Sequence, residues 1–317
     1  MGPGDILIAS YSRWTLLGYW LGPVLIILSH VGCLLLLVTG LSLGAWAWAL
    51  ALYLIRLLAT TAIYHRLLTH RSYDTSPTLL RLGCVVGASA GQMGPSWWKA
   101  HHLAHHRGSD AAADVHSPFQ PHAGFRGFLW SQGGWLLSPQ FLPEALPADV
   151  EADPVLRAID RFHFVPFLLL ALLSYQIGGL AYLGAFCLST TVLFHGVQTV
   201  NSLSHIFGSQ PFRTADNSRN NPLVAFLTLG EGWHNPHHAF QHSARHGFSF
   251  QGNRLVRLVD PTFGFIRLLE VLGLAWNVKL PSDRQLHLRR RSRDSSGLGV
   301  GPREAASGAA AQGALPG

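Results

Sequence analysis

Three apolar runs decide most of what this chain can fold into. Thr15 to Gly40 and Ala45 to Tyr64 are each long enough to cross a hydrocarbon core, which takes about 20 helical residues. A third block, Phe164 to Val200, is interrupted by Gly178 and Gly179 and fits two further spans joined by a tight turn. The expectation is an all-α membrane protein with four transmembrane helices in two hairpins, at about residues 15–40, 45–64, 164–178 and 180–200. Composition agrees, because 48% hydrophobic against 12% charged residues is unlike an ordinary soluble domain. The first run starts too late and extends too far for a cleaved signal peptide, so it reads as an anchor.

Charge sets the orientation. Apart from Arg56, lysines and arginines lie in the N-terminal flank, in the segment from His65 to Phe162, or after Val200, while the hairpin tips "GLSLG" and "QIGG" carry none. By the positive-inside rule both hairpins point away from the cytosol, and the soluble part is assembled from two noncontiguous cytosolic pieces. The net charge of +7 reflects this bias and contact with anionic headgroups; dispersed arginines without a recognition motif argue against nucleic acid. Cys33, Cys84 and Cys187 are far apart in apolar sequence and read as packing residues. Leu79 to Met93 suits a helix under the cap or along an apolar tunnel, and Asp260 to Asn277 an amphipathic helix with Phe265, Leu268, Leu269 and Leu272 opposite Arg267 and Glu270. Residues 1–290 then form one domain, and 291–317, rich in Gly, Ala and Ser behind "RRRSR", a disordered tail held near headgroups.

The chemistry sits in the histidines. Three windows hold eight of the eighteen: His65 and His70 in "HRLLTH", His102, His105 and His106 in "HLAHH", and His234, His237 and His238 in "HNPHH". Positions i, i+3 and i+4 share a helix face, so each HxxHH box can aim its imidazoles one way for shared ligation. His65 and His70, five apart, do not share an α-helical face, and the helix must end or distort between them. Imidazole suits iron, zinc, copper and nickel alike, but eight ligands exceed what one ion uses and argue for two metals. Asn201 and His205 in "VNSLSH" are again i and i+4 and reach toward the same site. His195 lies inside the last span, where an ionisable residue marks function or a hydrogen-bonded core position. His30, His122, His163, His242, His246 and His287 stand alone and read as packing or surface residues. Asp110, Asp114 and Glu231 lie near the boxes; a role orienting ligand imidazoles is assigned to Asp114 and Glu231, with Asp110 on the solvated surface. A membrane haem or metal-binding protein is the non-enzyme alternative, but bis-histidine haem ligation would put paired histidines inside facing spans rather than at their ends.

"HRLLTHRSY", "WWKAHHLAHH" followed by "SDAAADVHSP", "VNSLSHIFG", and "GEGWHNPHHAF" with "SARHG" together resemble the membrane fatty acid desaturases of the stearoyl-CoA desaturase type, bacterial members especially. The resemblance covers roughly His65 to Pro281. It implies two Fe2+ ions held on the cytosolic side by His65, His70, His102, His105, His106, His205, His234, His237 and His238, with Asn201 in contact through water. It further implies an O2-dependent activity that places a cis double bond, at the ninth carbon, in a long-chain saturated fatty acyl-CoA; an acyl-lipid desaturase or a hydroxylase would use the same centre. The reacting carbons have no polar handle, so selectivity calls for a shaped apolar tunnel, for which Trp97 and Trp98 are candidates or else interfacial anchors. Two departures stand out: Gln132 in "SQGGW" replaces a histidine of many relatives, and His101 replaces an aspartate, which touches the tunnel, the donor surface and the CoA contacts. The chain contains neither an HPGG segment nor a cysteine set for an iron–sulfur cluster, so electrons come from a separate donor, a ferredoxin or cytochrome b5-like protein with its reductase. The expected location is the bacterial inner membrane.

Overall fold

The computed structural model describes residues 11–291. The expected tail lies outside the described residues apart from Arg291, whose backbone N–H donates to Pro211 O at 2.9 Å; Arg289 also bonds Ala239 O and Arg290 bonds Asn253, so these arginines are fastened to the fold. The first long helix, α1 (Arg13–Gly32), is opened by Ser12, whose Oγ accepts from Thr15 N at 3.1 Å. A short helix, Leu35–Thr39, and Gly40 at φ 68° turn the chain into α2 (Leu43–Leu58). This helix runs without a break into a π-helix, Ala59–Thr69.

After Pro77–Ala88 (α3) and Pro95–Gly108 (α4) comes α5 (Phe164–Asn201), whose backbone is non-helical at Gly178 and Gly179. Phe167 and Phe186 pack with ring centroids 5.0 Å apart, although 19 residues of continuous helix would separate them by about 28 Å. The chain therefore folds back at the two glycines. Gly179 sits at φ 62°, which a residue with a Cβ adopts only at a cost. Three helical stretches, Arg13–Thr39, Leu43–Thr69 and Phe164–Ile206, are long and apolar enough to cross a membrane, the last containing this reversal. Arg56, buried within α2, donates to Ser89 O, Thr190 Oγ1 and Ser189 Oγ at 3.2, 2.8 and 2.6 Å and ties α2 to α5.

Segments flanking the long apolar helices pack together from both halves of the chain. One core cluster joins Ile63, Tyr64 and Leu67 of the π-helix to Leu156, Ile266 and Leu269. Asp74–Thr75 pairs antiparallel with Ala275–Trp276 and staples the two pieces together. The box-three helix α6 (His234–Ala239) is followed by a hairpin, Phe248–Gln251 with Arg254–Arg257, and by α7 (Pro261–Val271). Within α7 the buried face is Thr262, Ile266 and Leu269, while Leu268, Val271 and Leu272 are exposed, so the expected stripe of Phe265, Leu268, Leu269 and Leu272 is divided between core and surface. The helix expected to Met93 ends at Ala88, and Gly91 and Met93 both take positive φ before α4 begins. Cys84 and Cys187 are buried and all three cysteines are free, as packing residues.

Candidate metal centre

Each histidine box is delivered by a different local device. The i, i+5 pair of box one is brought together because the helix is π-wound there: His70 N donates to His65 O at 3.1 Å, and the two rings lie 4.8 Å apart. The expected distortion is thus a change of winding that puts both imidazoles on one side. Box two rides on α4, whose first N–H groups, Ser96 N and Trp97 N, donate to the Asp160 carboxylate at 2.8 and 3.1 Å. Gly94 lets this carboxylate approach, since a Cβ there would lie 2.3 Å from Asp160 Oδ1. Box three follows a hub in which the buried Arg66 guanidinium binds Glu231 at 2.8 Å and Asp260 at 3.0 Å, linking box one to the loop before α6 and to the cap of α7.

Nine imidazoles converge in two groups. His65, His70, His102, His106 and His237 form one, and His105, His205, His234 and His238 the other, with the ligand atoms of each group within 4.8 Å of one another. In the first, the Nε2 atoms of His70 and His102 are 2.8 Å apart, those of His106 and His237 2.9 Å, and those of His65 and His237 3.0 Å. In the second, His234 Nε2 lies 3.0 Å from His205 and 2.9 Å from His238, and His105 lies 3.4 Å from His238. The boxes do not each serve one group, as shared ligation would require. His102 and His106 go to the five-histidine group and His105 to the other; His234 and His238 go to the four-histidine group and His237 to the other. At about 100° per residue, i and i+4 differ by roughly 40° while i+3 points about 60° the other way, so one helix feeds two centres.

Four carboxylates fix the ring tautomers. His65 Nδ1 is 2.5 Å from Glu231, His105 Nδ1 2.9 Å from Asp114, His205 Nδ1 3.0 Å from Asp110 and His238 Nδ1 2.7 Å from Asp216. An imidazole donating from Nδ1 presents a lone pair at Nε2. His105 and His238 therefore face each other lone pair to lone pair, an arrangement that a cation between them stabilises. Ligands about 2.1 Å from one ion and at right angles would be about 3 Å apart, which matches the observed separations. The Nδ1 atoms of His106, His234 and His237 are buried without a partner. Burial first, then neighbouring imidazoles, pushes His102, His106, His234 and His237 well below the ordinary histidine range, keeping them neutral and able to ligate. Burial opposes charge on His105 as well, but Asp114, Asp110 and Asp216 outweigh it and raise that residue. Asp114 is held below the usual carboxylate range, burial being overcome by His105 and His116.

The placement of the remaining residues corrects several expectations. Asp110, assigned to the surface, accepts from His205, and Asp216 carried no sequence signal at all. His246 does not stand alone: it is buried 4.4 Å from His237, ring to ring, with Glu231 and His65 beside it and both nitrogens unpartnered. His116 packs on His105 and Asp114. His30 meets His195 through facing Nε2 atoms at 3.0 Å, and Gln132 bridges His195 and Ser202 at 3.1 and 2.7 Å, all outside the two groups. His101 is buried against Phe141 O at 3.1 Å. Asn201 bonds Gln198 at 3.2 Å and lines a cavity whose wall also includes His102, Trp97, Trp98, Met93 and Phe194. Trp98 stacks on His102 at 4.8 Å and Trp97 is buried, donating to Phe141 O at 2.8 Å, so neither is a free interfacial anchor.

A cavity lined mostly by apolar side chains thus shares His102 with a cluster of imidazoles. The sequence profile described as Fatty acid desaturase matches residues 40–258. The chain belongs to the fatty acid desaturase family. It is accordingly an oxidoreductase and, with its long apolar helices, a membrane protein. An acyl-CoA 5-desaturase of Anemone leveillei is 37% identical over 270 residues, covering 83% of this chain and 79% of the relative. An sn-1 stearoyl-lipid 9-desaturase of Anabaena variabilis is 37% identical over 273 residues, covering 84% and 96%. A chloroplastic palmitoyl-monogalactosyldiacylglycerol delta-7 desaturase of Arabidopsis thaliana is 34% identical, covering 75% and 62%. These relatives differ in acyl carrier and in the position of the double bond, so identity alone selects neither.

Proposed function

We propose that this desaturase uses two Fe2+ ions and O2 to place a cis double bond at the ninth carbon of a saturated long-chain fatty acyl-CoA. The observation that carries the reading is the pair of imidazole groups, five and four, one of which shares His102 with the apolar cavity. His65, His70, His102, His106 and His237 would hold one ion; His105, His205, His234 and His238 the other, with Asn201 reaching it through water. The irons, when bound, supply the activation of O2 that removes two hydrogens from an unactivated chain. The balance is one CH2–CH2 unit, O2, two electrons and two protons giving CH=CH and two waters.

The chain's own residues do the rest. Glu231, Asp114, Asp110 and Asp216 hold the ligand rings in the tautomer that exposes Nε2. Trp97, Trp98, Met93 and Phe194 surround the alkyl chain, exclude water, and position it by shape. The two electrons come from a separate donor, a ferredoxin or cytochrome b5-like protein with its reductase. We place four membrane crossings, the last two joined at Gly178–Gly179, with both histidine groups on the cytosolic side of a bacterial inner membrane; cysteines introduced in "GLSLG" and near Ser109 are expected to label from opposite sides.

A second reading, an acyl-lipid desaturase, is favoured by one observation: His101 is buried against Phe141 and offers nothing to a CoA headgroup at the position where stearoyl-CoA desaturases carry an aspartate. Expression in a desaturase-deficient host, followed by fatty acid analysis of CoA-bound and lipid-bound pools, tests both. A new alkene in the CoA pool first supports the main reading, one confined to glycerolipid supports the second, and a hydroxy acid or no product contradicts both.

A further inference from the structure

The two histidine groups are not electrostatic equals. In the four-histidine group three of four imidazoles donate from Nδ1 to a carboxylate: His105 to Asp114, His205 to Asp110 and His238 to Asp216. Among the described residues none of those carboxylates has a lysine or arginine partner. Their remaining bonds come from Asn217 N and Ser117 Oγ on Asp110, Asp110 N and His116 N on Asp114, and Ser218 N and Oγ on Asp216, with the His116 ring nitrogen also 3.4 Å from Asp114. In the five-histidine group only His65 donates to a carboxylate, Glu231, and the Arg66 guanidinium clasps that same carboxylate through two N–H groups at 3.1 and 2.8 Å. The first site therefore carries three negative charges with no cationic partner one imidazole away from its centre, and the second a single carboxylate paired with Arg66, which also serves Asp260.

A carboxylate accepting from the far nitrogen of a ligand ring raises that ring's donor strength, and negative charge in a low-dielectric interior stabilises the more positive ion. A fifth neutral imidazole adds donors but no charge. From this asymmetry we propose that the four-histidine site has the lower reduction potential: its iron gives up one electron before its neighbour does and recovers it last. The proposal rests on the two-iron reading above. It assigns Asp110, Asp114 and Asp216 as positioning and charge-setting residues that order the two oxidations, rather than as interchangeable supports.

The test uses the full chain loaded with 57Fe in micelles. Iron per chain is measured first, and the ferric fraction is then followed by Mössbauer spectroscopy at potentials stepped with ferricyanide and dithionite. Two one-electron steps are expected. Asp216→Asn and Asp110→Asn, which keep the shape and an acceptor for the ligand imidazole but remove charge, are expected to move the lower step upward and leave the upper step in place. Fewer than two irons in the unaltered protein overturns the two-iron reading itself. Two irons that oxidise in one unresolved step, or substitutions that move the upper step, overturn this inference alone. If both substitutions expel an iron, these carboxylates retain metal rather than tune it, and the inference also falls.

Discussion

Facing imidazole nitrogens about 3 Å apart occur in two regions of the molecule with different consequences. In the four-histidine group, His205 and His238 each spend Nδ1 on a carboxylate and turn lone pairs toward His234 and His105. Between the spans, His30 and His195 also meet at 3.0 Å, but only two rings are present. There His30 Nδ1 donates to Ile26 O and His195 Nδ1 to the Gln132 amide oxygen, neither of them a carboxylate, so one added proton between the two Nε2 atoms satisfies both. Spacing alone does not make a metal site. Convergence of more lone pairs than protons can satisfy, enforced by carboxylates behind the rings, does.

The largest effect that would break this comparison is ligand removal. His205→Ala is expected to lose iron and abolish desaturation, whereas His195→Ala keeps both irons and loses only part of the activity. Iron per chain and product yield measured in the same membranes decide it, and an iron-free His195→Ala protein would erase the distinction between the regions. Next in size are the carboxylates: Asp114→Asn is expected to weaken metal retention about 10 to 100-fold. Gln132→Leu, the corresponding change in the His30–His195 region, leaves retention unchanged. Chelator competition, followed by the rate of iron loss, reads both.

A smaller effect comes from pH. Burial, the main cause at each position, holds His101, His163 and His246 at about 4 and His116 at about 3, against about 6.5 in an unfolded chain. With the folded values depressed, the unfolded state binds more protons below about pH 6.5. The stability tied to these neutral rings is therefore complete above that pH and declines as pH falls toward 4. Thermal unfolding in micelles between pH 8 and 4 is expected to show a flat region and then a falling midpoint. A midpoint that rises on acidification would mean these rings are charged in the fold.

The sequence makes the spans and the boxes legible because both are local patterns: apolar length, Gly178–Gly179, and histidines at helical spacing. The five-residue gap between His65 and His70 even carried the trace of the π-helix. What stayed hidden is tertiary. Nothing local says that His237 and His238 part company, since the division depends on where α4 and α6 lie around two centres. Asp216 reaches His238 across 22 residues from a loop without a motif, and Asp110, in "SDAAADVHSP", reaches His205 across 95, a pairing no local pattern states. His246 in "SARHG" follows His242 by four residues, but the segment is not helical and His242 turns to His70 O, so only the burial of His246 beside His237 and Glu231 shows its place.

The central claim, two irons in two unequal histidine groups, is tested most directly by counting metal. Elemental analysis of active protein purified without oxygen, with iron supplied, is expected to give about two irons per chain, because imidazole-only sites otherwise load zinc. Active protein with one iron, or with none, would contradict the account.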